Sequence, residues 1–246
     1  ASDVYKRQAK KGENMEKYIS KKEKASYGFA AVGSYMVAGI TQSYLMYFFT
    51  DILIIPSAFV MMLMIVARAW DALNDPMMGV IVDRTSTKYG KMRPYVLIGS
   101  FLMLVTTIVL FMPLTGAPTM FKMIFAAVSY IIFGMAYTLT DVPAMGLMSV
   151  ATPNSDERAS LLSFYVTVGS VGSLLPVGLL TIFQSFIPEK YVYFAMSIFV
   201  GIITSAAYLT LFKNSKERFS THTEKIAVRD MIKAAGKNKP MMLSLI

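Results

Sequence analysis

The sequence predicts an all-α, polytopic membrane protein, and three observations support this prediction. Hydrophobic residues make up 55% of the 246 residues and charged residues only 16%, and the mean hydropathy is +0.52. A soluble globular domain normally carries about 25% charged residues, so the deficit indicates a lipid environment. Most charged residues lie between long apolar stretches, each of which exceeds the roughly 20 residues that a membrane-spanning helix needs.

Six such stretches follow one another along the chain. Four are uncharged, and two, at about 52–82 and 123–155, are interrupted by a few charges. Turn-forming segments separate successive stretches, for example at Pro56 and Pro188. Because five more spans follow the first, that span does not indicate a cleaved signal peptide. The predicted spans are about 25–50, 56–82, 94–113, 118–150, 160–186 and 190–213.

The basic residues predict the orientation of the spans. All but three of the 24 Lys and Arg residues lie before the first span, between spans two and three, between spans four and five, or after span six. The exceptions are Lys122, Lys190 and Arg68. Because membrane proteins retain Lys and Arg on the cytoplasmic side, both ends of the chain are predicted to be cytoplasmic. The net charge of +9 is therefore a topology signal and does not indicate nucleic-acid binding.

Polar segments flank the predicted bundle at 25–213. Residues 1–24 are interpreted as a cytoplasmic N-terminal tail, of which 1–14 lacks apolar periodicity and is interpreted as non-native. Residues 214–240 are polar and basic and are predicted to form a cytoplasmic middle linker. Residues 241–246 turn apolar again, which indicates the start of a seventh span and a chain that continues in a longer protein.

Four charged residues inside the predicted spans are the first candidate site. Arg68, Asp71 and Asp75 fall on one face of span two, because residues i, i+3 and i+7 nearly coincide around a helix. Asp141 lies in span four, and a rise of about 1.5 Å per residue places all three carboxylates near the bilayer centre. A charge there costs about 2.5–3.5 kcal/mol, and Arg68 can neutralise only one carboxylate. We therefore predict that the site handles cations or protons; a salt bridge that serves helix packing is the alternative.

The cytoplasmic turn between spans two and three holds a second candidate motif. Gly79 permits close approach of another helix, and the pair Asp83-Arg84 at the helix end could form a state-dependent ion pair; Gly90 belongs to the same turn. An ordinary basic loop is the alternative. No catalytic set, phosphate loop or metal-ligand spacing stands out in the chain, so an enzyme is not predicted.

Five short segments of the chain carry a family resemblance, at 26–29, 44–47, 70–79, 88–91 and 141–143. The third contains an Asp-x-x-Asn-Asp-Pro run, which is specific. Together the segments resemble the glycoside-pentoside-hexuronide:cation symporters of the major facilitator superfamily, over about residues 16–213. The resemblance implies a twelve-helix major facilitator fold in the inner (cytoplasmic) membrane that works by alternating access. This chain would be its N-terminal six-transmembrane-helix bundle.

The resemblance also implies a role for each matching position. The sugar is expected next to Tyr137 and Asp141. The coupling ion is Na⁺ or H⁺, and Asp71 and Asp75 would be the metal ligands if it is Na⁺. Independently of the resemblance, the charges inside span two predict that Arg68 pairs with one of the aspartates. The positions that match the family's cation site are Asp71, Asn74, Asp75 and Thr138.

The chain departs from the family's best-known member on the sugar side. Ser34-Tyr35 stands where that protein has Lys-Asp, Met145 replaces a tryptophan, and Val166 replaces an arginine. The cation positions are therefore retained, whereas much of the set that recognises galactosides is absent.

From these features we expect a secondary active transporter for symport of a sugar or glycoside with Na⁺ or H⁺, without a cofactor. Its expected partners are the sugar, the monovalent cation, membrane lipid and the missing C-terminal six-helix half, but not nucleic acid. The alternative is a non-transporting sugar receptor or regulator on the same fold.

Overall fold

The structure, a computed structural model, describes residues 18–219, and the regular elements of that range are helices. The predictions for 1–14 and 241–246, and most of that for 214–240, concern residues outside this range. A π-helical segment, Phe48–Ile52, extends the first helix. The helices are α1 (Lys21–Tyr47), α2 (Ser57–Arg84), α3 (Arg93–Leu110), α4 (Thr119–Ala151), α5 (Ser155–Gln184) and α6 (Glu189–Asn214).

Five helices of the described range, α2 to α6, are long and apolar enough to cross a membrane. This confirms the all-helical, multi-pass membrane protein predicted from the composition. The remaining helix, α1, has sufficient length at 27 residues. However, it begins with four charged residues, at 21–24, and carries Ser, Thr, Tyr and Gln side chains further along, so it is less apolar than the others.

Two helices, α1 and α5, begin four to five residues earlier than hydropathy predicted, because capping residues start them ahead of the apolar run. Ser20 caps α1 by accepting the backbone N–H of Glu23 at 3.1 Å. Asn154 caps α5 by accepting the N–H groups of Asp156 at 2.9 Å and Glu157 at 3.4 Å. A side-chain oxygen at this position satisfies N–H groups that have no partner within the helix.

Each helix of the bundle packs mainly against one or two others. α1 packs against α5 and α6, α3 packs against α4 and α6, and α2 packs mainly against α4. The contact between α1 and α5 is close enough to require glycine: a Cβ atom on Gly39 would lie 2.6 Å from the carbonyl oxygen of Ser173, and one on Gly172 would lie 2.7 Å from that of Val32. Small residues are the usual means of close helix contact in membranes.

Residues 215–219, which follow α6, are fixed to the end of the bundle that carries the α2–α3 turn. The carboxylate of Glu217 accepts the backbone N–H groups of residues 91–93 at 2.8–3.0 Å and so caps the start of α3. Arg218 forms a two-pronged pair with the buried carboxylate of Glu23, at 2.6 and 2.9 Å. The hydrogen bond to this carboxylate raises the pKa of Arg218. The segment 215–219 thereby joins α1, α3 and the end of α4, where Val150 accepts two of its N–H groups.

Candidate substrate and cation site

A cavity of about 250 Å³ lies between α1, α2 and α4. Its α2 wall contains the charged residues that the helical spacing i, i+3, i+7 predicted on one face. Its α4 wall contains the polar residues that the sequence analysis assigned to the same site. Trp70, the single tryptophan of the chain, also lines it. The residues singled out from the sequence that line this cavity are Arg68, Asp71, Asp75, Tyr137, Thr138 and Asp141.

One side of the cavity joins α2 to α4 through a hydroxyl and a carboxylate. Thr138, which is 5% exposed, donates a hydrogen bond from its Oγ1 to Oδ1 of Asp75 at 2.8 Å. Asp71 is half-buried one turn away on α2. Gly134 of α4 faces it, since a Cβ atom on this glycine would lie 3.3 Å from Oδ1 of Asp71. Carboxylate and hydroxyl oxygens of this kind are the ligands that hard cations take in proteins.

The other side of the cavity is organised around Asp141. Its Oδ1 accepts hydrogen bonds from Oγ of Ser34 at 2.8 Å, from the hydroxyl of Tyr208 at 3.3 Å and from that of Tyr165 at 3.4 Å. The hydroxyl of Tyr137 lies 3.2 Å from Oγ of Ser34. The helices α1, α5 and α6 thus each supply one hydroxyl donor to a carboxylate of α4.

Proline residues interrupt both helices beside the site. Pro76 directly follows Asp75 in α2, and Pro143 lies two residues after Asp141 in α4. Proline has no backbone N–H, so it leaves the carbonyl group four residues earlier without its helical donor. The two carbonyl groups that lose their helical donor in this way, at positions 72 and 139, belong to residues that do not line the cavity.

Two predicted site residues do not make the expected contacts. Asn74 is absent from the lining of the cavity, and its buried Nδ2 makes no hydrogen bond within residues 18–219. Arg68 lines the cavity and is exposed, but the described part of the chain contains no ion pair between it and Asp71 or Asp75 within 4.0 Å. The cation-binding role of Asn74 and the pairing of Arg68 stay predictions.

The residues of the motif at the α2–α3 turn lie in three different environments. A Cβ atom on Gly79 would meet nothing within 4 Å in the described residues, so the expected close helix contact is not made there. Asp83 and Arg84 are exposed at the end of α2 and form no ion pair in the range 18–219. Gly90 has a φ of +106° and lies against the Glu217 carboxylate, so both its conformation and its surroundings exclude a side chain.

Several site residues carried no signal that sequence reasoning could use. Ser34 was identified only as a position where the chain departs from the family. No site role was predicted for Tyr165 or Tyr208. Thr41 and Gln42 of α1 also line the cavity. Neutral hydroxyl and amide side chains are common in membrane spans, so only the packing of four helices shows which of them face Asp141 or the cavity.

Within residues 18–219, no group of three or more His, Cys, Asp or Glu side chains is close enough to hold a metal ion together.

Comparison with known proteins identifies transport proteins as the relatives of this chain. The family described as MFS/sugar transport protein matches residues 26–246. The "Uncharacterized symporter YjmB" of Bacillus subtilis (strain 168) is 33% identical, over 92% of this chain and 50% of that protein. The "Putative glycoside/cation symporter YagG" of Escherichia coli (strain K12) is 31% identical, over 82% and 44%. The "Isoprimeverose transporter" of Lactiplantibacillus pentosus is 28% identical, over 90% and 47%. The chain spans about half the length of the curated relatives it matches.

Proposed function

The chain belongs to the MFS/sugar transport protein family, and from this premise we propose that it is the N-terminal six-helix half of a symporter that moves a sugar or glycoside together with Na⁺ or H⁺. In this proposal α1 also crosses the membrane, as the first of six spans, and both ends of the bundle are cytoplasmic. The observation that supports the proposal best is that carboxylates of α2 and α4 line the same cavity. Such an excess of negative charge inside a membrane is expensive unless a cation relieves it.

The cation side of the cavity is formed by Asp71, Asp75 and Thr138, with Asn74 next to them in sequence. The two carboxylates supply the attraction for Na⁺ or H⁺, and this attraction is strong because the surroundings have a low dielectric constant. The hydroxyl of Thr138 holds Asp75 in place through the 2.8 Å hydrogen bond. Arg68 keeps the net charge of the unoccupied site small enough for the helix to remain in the membrane.

The sugar side is formed by Tyr137 and Asp141. A carboxylate accepts charge-assisted hydrogen bonds from sugar hydroxyls, and an aromatic ring offers an apolar surface to the sugar ring. Because the cavity is lined by three carboxylates and one guanidinium, an uncharged sugar fits this half of the site better than an anionic one. The other half of the site would come from the second six-helix bundle, as in transporters whose substrates bind at the midplane between two repeats.

Alternating access requires that the two bundles move around this fixed site. Gly79 lies open on α2, so a helix of the second bundle could approach it closely. Asp83 and Arg84, which have no ion-pair partner within residues 18–219, would then form ion pairs with that bundle when the cytoplasmic side is closed. Gly90 and Glu217 hold the turn in the shape that presents these residues.

Uptake by the full-length protein tests the proposal. Proteoliposomes are given an inward gradient of Na⁺ or of H⁺ and supplied with radiolabelled isoprimeverose, methyl β-glucoside or methyl β-glucuronide. Accumulation that depends on one gradient is expected for a neutral sugar, with less for the glucuronide. Saturable binding without accumulation under either gradient would favour the alternative, a receptor or regulator on a transporter fold.

A further inference from the structure

The Asp141 carboxylate is held through only one of its two oxygen atoms. The three hydroxyl groups that donate to it, from Ser34, Tyr165 and Tyr208, all meet Oδ1. These three donors are 0%, 1% and 1% exposed. They come from three different helices, so the packing of the whole bundle decides where this carboxylate lies.

The second oxygen of the same carboxylate remains available to a ligand. Within residues 18–219, Oδ2 of Asp141 accepts no hydrogen bond from the protein. It is not among the fully buried side-chain atoms that lack a partner, and Asp141 lines the cavity. A carboxylate oxygen offers about two acceptor positions, so Oδ2 can receive one or two donors from a molecule in the cavity.

No basic residue forms an ion pair with Asp141 in the described part of the chain. The described range contains one ion pair, between Arg218 and Glu23, which lies elsewhere. The three O–H groups therefore carry the task that a lysine or arginine would otherwise perform. Hydrogen bonds from hydroxyl groups fix the orientation of the carboxylate without cancelling its charge, so Oδ2 remains an acceptor.

We infer that Ser34, Tyr165 and Tyr208 are positioning residues for the sugar: they hold Oδ1 of Asp141 so that Oδ2 accepts a sugar hydroxyl in the cavity. This inference rests on the proposed function. It assigns sugar affinity to three buried hydroxyl groups that do not themselves line the cavity. Tyr137 does line it, and it belongs to the same network through its 3.2 Å contact with Ser34.

The chain offers a matched pair of variants for the test. Tyr208→Phe removes a buried hydroxyl that donates to Asp141. Tyr27→Phe makes the same chemical change at another fully buried tyrosine, whose hydroxyl has no hydrogen-bond partner in the described residues. Both variants keep the aromatic ring, so core packing is preserved in both. Ser34→Ala removes the shortest of the three bonds and serves as a second variant.

The experiment measures sugar binding to the full-length protein in proteoliposomes. The probe is whichever of isoprimeverose and methyl β-glucoside the wild type accumulates more strongly. Tyr208→Phe is expected to raise the Kd for this sugar about fivefold to tenfold, the factor expected for one hydrogen bond. Ser34→Ala is expected to raise it at least as much, and Tyr27→Phe to leave it within twofold. Affinity for the driving cation without sugar, measured by calorimetry, should be unchanged in all three variants.

Four results would overturn the inference. Wild-type sugar affinity in both Tyr208→Phe and Ser34→Ala would show that the hydroxyl groups do not position Asp141 for the sugar. Equal losses in Tyr208→Phe and Tyr27→Phe, or loss of cation affinity together with sugar affinity, would indicate a general effect on the fold. If the wild type binds none of the sugars, the proposed function fails, and the inference fails with it.

Discussion

Removal of the Thr138 hydroxyl is a direct test of the assigned cation site. Thr138→Val replaces a hydroxyl by a methyl group of similar size, so the packing of α4 against α2 should persist. The change removes the 2.8 Å hydrogen bond to Asp75, which is the bond that links the two helices at the cavity. It also removes a neutral oxygen that would be close to a bound cation.

The size of the effect follows from the charge of the acceptor. A hydrogen bond to a charged group contributes about 1.5–3 kcal/mol. Each 1.4 kcal/mol corresponds to roughly a factor of ten in an equilibrium constant. We therefore expect the affinity for the driving cation to fall about tenfold to a hundredfold in Thr138→Val, while sugar binding in the absence of that cation changes little.

Thr41→Val is the matched control for this measurement. Thr41 lines the same cavity, but its hydroxyl donates to the carbonyl oxygen of Val37 on its own helix, at 2.8 Å. The assay is calorimetric titration of the full-length protein with the cation, followed by titration with sugar at saturating cation. Equal cation affinities in Thr138→Val and the wild type, or equal losses in Thr138→Val and Thr41→Val, would refute the assignment of the cation site to this pair.

Three further predictions concern charge and topology. Asp71→Asn should abolish the cation dependence of sugar binding and leave cation-independent binding measurable; an unchanged cation dependence would show that Asp71 is not a cation ligand. Arg218→Gln should destabilise the protein by about 3–5 kcal/mol, because it leaves the Glu23 carboxylate, which is 1% exposed, without its ion-pair partner. A melting temperature in detergent equal to that of the wild type would contradict this prediction. A cysteine at Met120, which is 67% exposed, should react with an impermeant thiol reagent from outside the cell, whereas one at Lys122, which is 6% exposed, should not; reaction of the Met120 cysteine only from the cytoplasmic side would reverse the orientation.

The position of the charged residues was predictable because two independent signals agree. Charges are rare inside apolar spans, so Arg68, Asp71 and Asp75 stood out individually, and helical periodicity then placed them on one face. The structure puts all three at one cavity together with Asp141. Rarity and period are properties of the sequence itself, so no tertiary information was needed for this part of the site.

The neutral part of the site depends on tertiary packing and was not predictable. Tyr165 and Tyr208 differ in no local property from other tyrosines of the spans, and only the crossing of α5 and α6 next to α4 brings them to Asp141. Gly79 illustrates the opposite case, because a small residue indicated a helix contact that the described residues do not make. Lys122, one of the three basic residues outside the predicted cytoplasmic segments, is buried and donates to the carbonyl oxygen of Leu53.

The helix α4 offers a physical route for coupling between the cation side and the sugar side of the proposed site. Thr138 contacts Asp75 on the cation side, and its neighbour Tyr137 belongs to the network of Ser34 and Asp141 on the sugar side. Adjacent residues of one helix cannot move independently, so a cation that draws Asp75 and Thr138 together also shifts Tyr137 relative to α1. Linkage then requires that the sugar raise cation affinity by the same factor by which the cation raises sugar affinity. Variants of Ser34 that weaken the sugar without altering this factor would show that the two sides communicate through the backbone of α4 rather than through the hydroxyl network.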